Sequence, residues 1–251
     1  MTNTLDHSIR RWASLGAGFD AEPASRDIEV TATSIGTIDL ERLLLETARY
    51  APAAARLFIM AATWLHEYGD LVAKHRLKRL IRDELETEHQ ATLGLLLDAA
   101  QQGSHALEFQ SIIKLLKPSD HPRPLFERSR RSSKLAEHAH QKASALSRRW
   151  KLWCQAFEFK NDALRPASWM MSRHPDLRTR ADFRGDLWAS ILAALRHDQG
   201  AGESELRLAA LCGGSRAQVR SALRNLEMTG RITAGRRRGA NRRAVSLREA
   251  A

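Results

Sequence analysis

Between Ser215 and Arg248 the chain places ten arginines and a single acid, Glu227. The arginines are Arg216, Arg220, Arg224, Arg231, Arg236, Arg237, Arg238, Arg242, Arg243 and Arg248. This span carries +9 of a whole-chain +11, and the rest reads as close to balance. No lysine follows Lys160, so this end relies on guanidinium alone. A guanidinium grips a phosphate with two parallel N–H donors and pairs with the guanine edge, whereas an ammonium acts more as a point charge. The chemistry that fits is the holding of a polyanion, nucleic acid above all. A solvated basic tail would share this composition, so the pattern inside the span has to separate the two.

Other spacings were weighed for catalysis. Glu86-Thr-Glu88-His89 contains the Glu-x-x-His step of di-iron bundles, but such bundles use two copies with further carboxylates. His66-Glu67 is followed by Asp70 where a zinc protease pattern has its second His. His138 and His140 stand two apart and so face different sides of a helix. The sequence has no phosphate-cradling Gly loop, no Gly-x-Ser-x-Gly elbow and no activating context for a cysteine. The expectation is a protein that is not an enzyme, with no cofactor and no metal.

Cys154 and Cys212 are too few for a disulfide framework or a structural zinc site, which points to a reducing, cytoplasmic setting. No apolar run reaches the roughly 18–20 residues of a membrane span, and the best candidate, residues 51–65, is interrupted by Arg56. Asp6, Arg10, Arg11 and Asp20 occupy the stretch where a secretory signal would need an apolar block. No membrane partner is expected.

The elements that must position the arginines come next. A chain of 251 residues suits one or two globular domains. Residues 1–36 read as a loosely ordered arm, with a short helix around Trp12 as an alternative. From Thr37 the pattern is helical. Thr37 or Asp39 caps a helix through Tyr50, and Pro52 falls in the first turn of the next. Leu57, Met60, Ala61, Trp64, Leu65 and Tyr68 recur at three and four. Leu71 to Gln102 reads as one long helix or two short ones, and a shorter helix follows around Leu107 to Leu116. Pro118, Pro122 and Pro124 mark a loop leading into Arg128, Arg130 and Arg131. From Ser132 or Ser133, the apolar steps Leu135, Ala139, Ala143, Leu146, Trp150, Trp153 and Phe157 predict the best single amphipathic helix in the chain. Its stripe reads as core or as a helix–helix seam. Pro166 and Pro175 bracket a further short helix, and residues 176–185 read as a polar boundary. The body, residues 37–175, is expected to be all-helical, with no strand before residue 230.

The C-terminal module, residues 186–248, has its own order. Asp186 caps a helix carrying Leu187, Ile191, Leu192 and Leu195. A second helix, Glu203 to Cys212, points Leu206, Ala209 and Ala210 inward. Gly213-Gly214 makes a sharp turn, and Ser215 caps a third helix to about Met228. That helix buries Val219, Ala222, Leu223 and Leu226 and presents Arg216, Gln218, Arg220, Ser221, Arg224 and Asn225. Gly230 ends it. Residues 231–234 and 243–247 alternate with period two around a basic turn and predict a hairpin.

The run LRLAALCGGSRAQVRSALRNLEMTGRIT, Leu206 to Thr233, resembles bacterial winged helix-turn-helix transcription regulators. The positions that carry the resemblance are Leu208, Ala209, Gly214, Ser215, Val219, Leu223, Leu226, Gly230 and Ile232. One departure is the pair Gly213-Gly214, where the family has a single Gly and an apolar residue. The resemblance covers about sixty residues and does not extend to the helical body. It implies a mainly α fold ending in a winged helix with a small hairpin wing, and a third helix that enters the major groove of double-stranded DNA.

Arg216, Gln218 and Arg220 would then reach base edges, with Ser221 on the same face. Arg224 and Asn225 would reach phosphate, as would the helix N-terminus at Ser215. Arg236, Arg237, Arg238, Arg242 and Arg243 would straddle the DNA backbone or enter the minor groove. The function expected is a sequence-specific transcriptional regulator, a homodimeric repressor or autorepressor. The alternative is an antitoxin-like or assembly subunit whose helical body binds another protein.

Overall fold

The computed structural model describes residues 2–19, 37–101, 109–183, 187–236 and 243–248. The chain is mainly helical, with a small antiparallel hairpin near its C-terminal end. It divides into two units: Met1–Gly69 with Glu84–Asp176, and Asp70–Asp83 with Leu177–Ala251.

The first unit opens with α1 (Thr2–Ser14), in the stretch read as a loose arm. Its anchor is Trp12, which is fully buried. The indole N–H of Trp12 donates to Thr47 Oγ1 at 2.8 Å, and its ring stands edge-on to Trp64 at 5.4 Å. The Trp64 N–H in turn donates to the Leu15 carbonyl at 2.9 Å. A buried indole needs an acceptor, and each of these has one. The remainder of the expected arm, residues 20–36, lies outside the described residues.

Asp39 caps α2 (Leu40–Tyr50) by accepting from the Arg42 N–H, as expected. Pro52 sits in the turn between α2 and α3 (Ala55–Tyr68) rather than inside the latter. The stripe of α3 is buried from Leu57 to Leu65, and α5 (Thr87–Ala100) packs across both helices. Within α5, Gly94 admits the face of the Trp150 ring so closely that a Cβ there would overlap it. Trp150 donates to Asp98 Oδ2 at 2.9 Å beside that contact.

The long helix expected through Phe157 is not formed. The segment divides into α8 (Ser133–Gln141), α9 (Ala145–Arg149) and the two-residue strand β2 (Leu152–Trp153). Ser144 caps a new helix by accepting from the Ser147 N–H at 3.1 Å. Lys151 then adopts a left-handed φ of 53° that turns the chain out of it. β2 pairs in parallel with β1 (Arg123–Pro124), Arg123 opposite Leu152 and Pro124 opposite Trp153. This is a strand pairing before residue 230, where none was expected. The stripe, read as core or as a seam, is dispersed as a result. Trp150 is core, Trp153 packs against the His140 ring at 4.7 Å, and Phe157 stands edge-on to Phe58 at 5.7 Å. Shorter helices complete the unit: α6 (Gln110–Ile113), α7 (Glu127–Arg130) and α10 (Ala167–Arg173).

The second unit takes α4 (Lys74–Glu84) from the stretch read as helical body. The stretch from Leu71 to Gln102 is therefore two helices, α4 and α5. The expected polar boundary holds a helix, α11 (Pro175–Phe183), whose Arg180 is buried and donates to the Leu71 carbonyl at 3.4 Å. After it come α12 (Leu187–His197), α13 (Glu205–Cys212), α14 (Arg216–Met228), β3 (Ile232–Arg236) and β4 (Arg243–Leu247). Their common core includes Ile191, Leu208, Val219, Leu226, Ile232 and Val245. Arg76 of α4 is fully buried and forms an ion pair with Asp198 at 3.0 Å, while its backbone N–H donates to Ser190 Oγ at 3.3 Å.

Burial pushes the thiols of Cys154 and Cys212 up to about 11. A thiol held protonated in the folded chain and ionised in the unfolded one makes stability fall as pH rises. That loss is expected between about pH 9 and pH 11 and is checked by urea unfolding across this window. At pH 8 both thiols should resist a disulfide reagent until the chain unfolds.

Candidate nucleic-acid interface

The third helix of the C-terminal module, α14, owes its start to two side chains used reciprocally. Ser215 Oγ accepts from the Gln218 N–H at 3.3 Å, and Gln218 Oε1 accepts from the Ser215 N–H at 3.0 Å. This capping box satisfies two backbone donors that a helix start leaves open. Ser215→Ala is expected to cost about 1 kcal/mol of stability, measured by urea unfolding.

The turn before it explains the paired glycines. Gly213 has φ +79°, the left-handed conformation that ends α13, and a Cβ there would strike the His75 carbonyl of α4. A Cβ on Gly214 would come within 2.6 Å of Leu187. The first glycine serves the backbone and the second serves packing, so neither position accepts a larger residue.

α14 buries Val219, Ala222, Leu223 and Leu226, the stripe read from the sequence. Ser215, Arg216, Gln218, Arg220, Ser221 and Arg224 are exposed on the other side, and Asn225 is half-buried. Not all of them are idle. Glu205 of α13 holds Arg220 at 3.0 Å and lies 4.0 Å from Arg216. Arg220 is still 49% exposed and Arg216 62% exposed. An ion pair so open to water is worth about 0–1 kcal/mol, so it orients the guanidinium more than it occupies it. Sequence alone does not single out Glu205, which stands on another helix 15 residues before Arg220. Arg224 forms no ion pair among the described residues.

No family model, curated protein or solved structure matches this chain. What can be said of the site therefore comes from its own residues.

The hairpin runs in register from Ile232 opposite Leu247 to Arg236 opposite Arg243. Arg236 and Arg243 thus form the last rung before the basic turn. Arg237, Arg238 and Arg242 lie outside the described residues. Leu206, expected to point inward, is 66% exposed, Ala210 is exposed too, and Ala209 is buried as expected. The reason is geometric: α13 turns Leu208 and Cys212, one turn apart, toward the core and its other flank outward.

The Glu86–His89 step is not arranged for a metal. Glu86 precedes α5 and accepts from Arg49 Nε at 2.9 Å, which holds its carboxyl below the ordinary range. Burial lowers the His89 pKa against the pull of Glu88 and Glu86. No group of three or more His, Cys, Asp or Glu side chains placed so that it could hold a metal ion occurs among the described residues.

Proposed function

We propose that this chain is a sequence-specific, double-stranded DNA-binding transcriptional regulator, not an enzyme, acting as a homodimeric repressor through a winged helix formed by α12–α14 and the β3–β4 hairpin. The observation that carries this reading is α14 itself. It is a thirteen-residue helix with one apolar side buried and an opposite side of exposed arginine, serine and glutamine. A helix of this kind fits the major groove, and guanidinium and amide groups are the donors that base edges accept.

The second support is the hairpin that follows α14, whose closing rung is a pair of arginines. From Met228 to Arg248 the sequence itself contains no acid. The role of α14 is recognition and that of the hairpin is backbone contact. Phosphate contacts fix register and orientation, and base contacts select sequence. The homodimer follows from the usual need for two readers in successive grooves about 34 Å apart.

A mobility-shift titration of the purified chain against duplex DNA tests this. Retention at low salt is expected, lost with a slope in log affinity against log salt of about −5 or steeper, since some six phosphate contacts from this module alone give about −5. No retention at low salt overturns the proposal.

A further inference from the structure

The first unit holds a second concentration of positive charge. Residues 114–151 contain eleven Lys and Arg against three Asp and Glu, a net +8, offset in the chain total by acidic stretches elsewhere. The fold gathers these charges. The parallel pairing of β1 with β2 sets Arg123 beside Leu152, with the Arg123 backbone N–H donating to the Lys151 carbonyl at 3.1 Å. Arg130 donates from Nε and Nη2 to the carbonyls of Pro124 and Leu125, both at 2.9 Å. Arg148 donates to the His140 and Ala143 carbonyls, on the element that Trp153 packs against. The Arg130 and Arg148 guanidiniums are held by backbone oxygens, not by carboxylates. Among the described residues Arg149 alone of the eleven forms an ion pair, with Asp98 at 3.2 Å.

Two observations bear on how this charge is held. Arg123 Nε is buried without an acceptor. Burial and the nearby Arg123 charge lower the pKa of Arg130. Like charges brought together and partly desolvated cost free energy that an arriving anion returns.

We propose that this surface of the first unit is a second nucleic-acid contact, which holds the sugar–phosphate backbone of duplex DNA without reading sequence. Its composition argues for DNA over an acidic protein. Protein interfaces have an apolar centre and are depleted in lysine, whereas DNA-binding surfaces are polar and strongly positive. Here Lys114, Lys117, Lys134, Lys142 and Lys151 are all exposed. Leu115 and Leu135 are the exposed large apolar side chains of the segment. The inference goes beyond the reading of the C-terminal module and stands without it.

The test uses the full chain with Lys117→Gln, Lys134→Gln, Lys142→Gln and Lys151→Gln combined, titrated by fluorescence anisotropy against a random-sequence duplex over a salt series. The slope of log affinity against log salt is expected to become less negative by about 3–4, with affinity at low salt reduced at least about tenfold. The pair Lys134→Gln and Lys142→Gln alone should give about half the change in slope, which keeps the test valid if the fourfold variant folds poorly. An unchanged slope and affinity overturn the proposal. Loss of polyglutamate binding with wild-type duplex binding also overturns it and assigns the surface to an acidic protein. A parallel variant lacking Arg236, Arg237 and Arg238 separates the two readings. If only that variant weakens binding, this surface is not a DNA contact. If only the lysine variant does, the C-terminal reading fails and this one stands.

Discussion

Changing Arg236, Arg237 and Arg238 together to Gln is expected to weaken binding to every duplex by about two to three orders of magnitude near 0.1 M salt. Each phosphate contact contributes about 0.9 to the salt slope, hence close to tenfold at that concentration. Arg236 stands in the last rung of the hairpin ladder, and Arg237 and Arg238 follow it in the sequence. Their loss should leave sequence preference unchanged, because backbone contacts carry no sequence information directly. Arg216→Ala should do the reverse, altering preference by about 1–3 kcal/mol at single base positions. Competition assays on a panel of duplexes read both. Equal weakening by the two variants, with no change of preference from either, would contradict the division of roles. Gln218 is a poorer probe than Arg216, because its side chain also closes the capping box of α14.

The second large effect concerns the second unit. Asp198→Ala leaves the Arg76 guanidinium buried without its carboxylate, and breaking such a pair costs about 3–5 kcal/mol. Arg79 Nη1 lies 3.9 Å from the same carboxylate oxygen, which adds to the cost of removing it. Changing both members, Arg76→Met with Asp198→Leu, should restore most of the loss, since neither charge of this pair is then left buried without the other. Urea unfolding measures each step. A loss below about 1 kcal/mol for Asp198→Ala would show that the pair is solvated. The consequence for function is indirect but definite. Asp198 follows α12, Ser190 lies within it, and α4 is tied to both. α12 shares its core with α13 and α14, so loosening the pair loosens the seat of the exposed arginine face.

Local signals were legible where one residue type has one job. The order of helix, helix, turn, helix and hairpin in the C-terminal module follows from Ser215 as a cap, Gly213 and Gly230 as left-handed stops, and apolar steps of three and four. Asp39 at the start of α2 was legible for the same reason. The failures lie where tertiary contacts override local pattern. The stripe from Leu135 to Phe157 satisfies helical periodicity, yet the caps and the pairing of Leu152 and Trp153 with Arg123 and Pro124 divide it. Nothing local announces a partner thirty residues away. The packing of α4 with the C-terminal residues rests on Arg76 and Asp198, separated by 122 positions. The short helix around Trp12 is one of two readings of its stretch, but the burial of Trp12 is not visible locally, because its partners Thr47 and Trp64 are far along the chain.

At the candidate site, the positive residues were legible and their restraint was not. Glu205 sits 15 residues before Arg220 and reaches it across two helices. The charge of residues 114–151 was hidden by summation, since acidic stretches cancel it in the total. Charge read in windows would have found it.

The most direct measurement is selection, in vitro, of genomic fragments retained by the purified chain, followed by sequencing. The account predicts enrichment of a two-fold symmetric site whose half-sites lie one helical turn, about 10–10.5 base pairs, or a multiple of it apart. Enrichment of no sequence over the input, with duplex retention absent even at low salt, would contradict it.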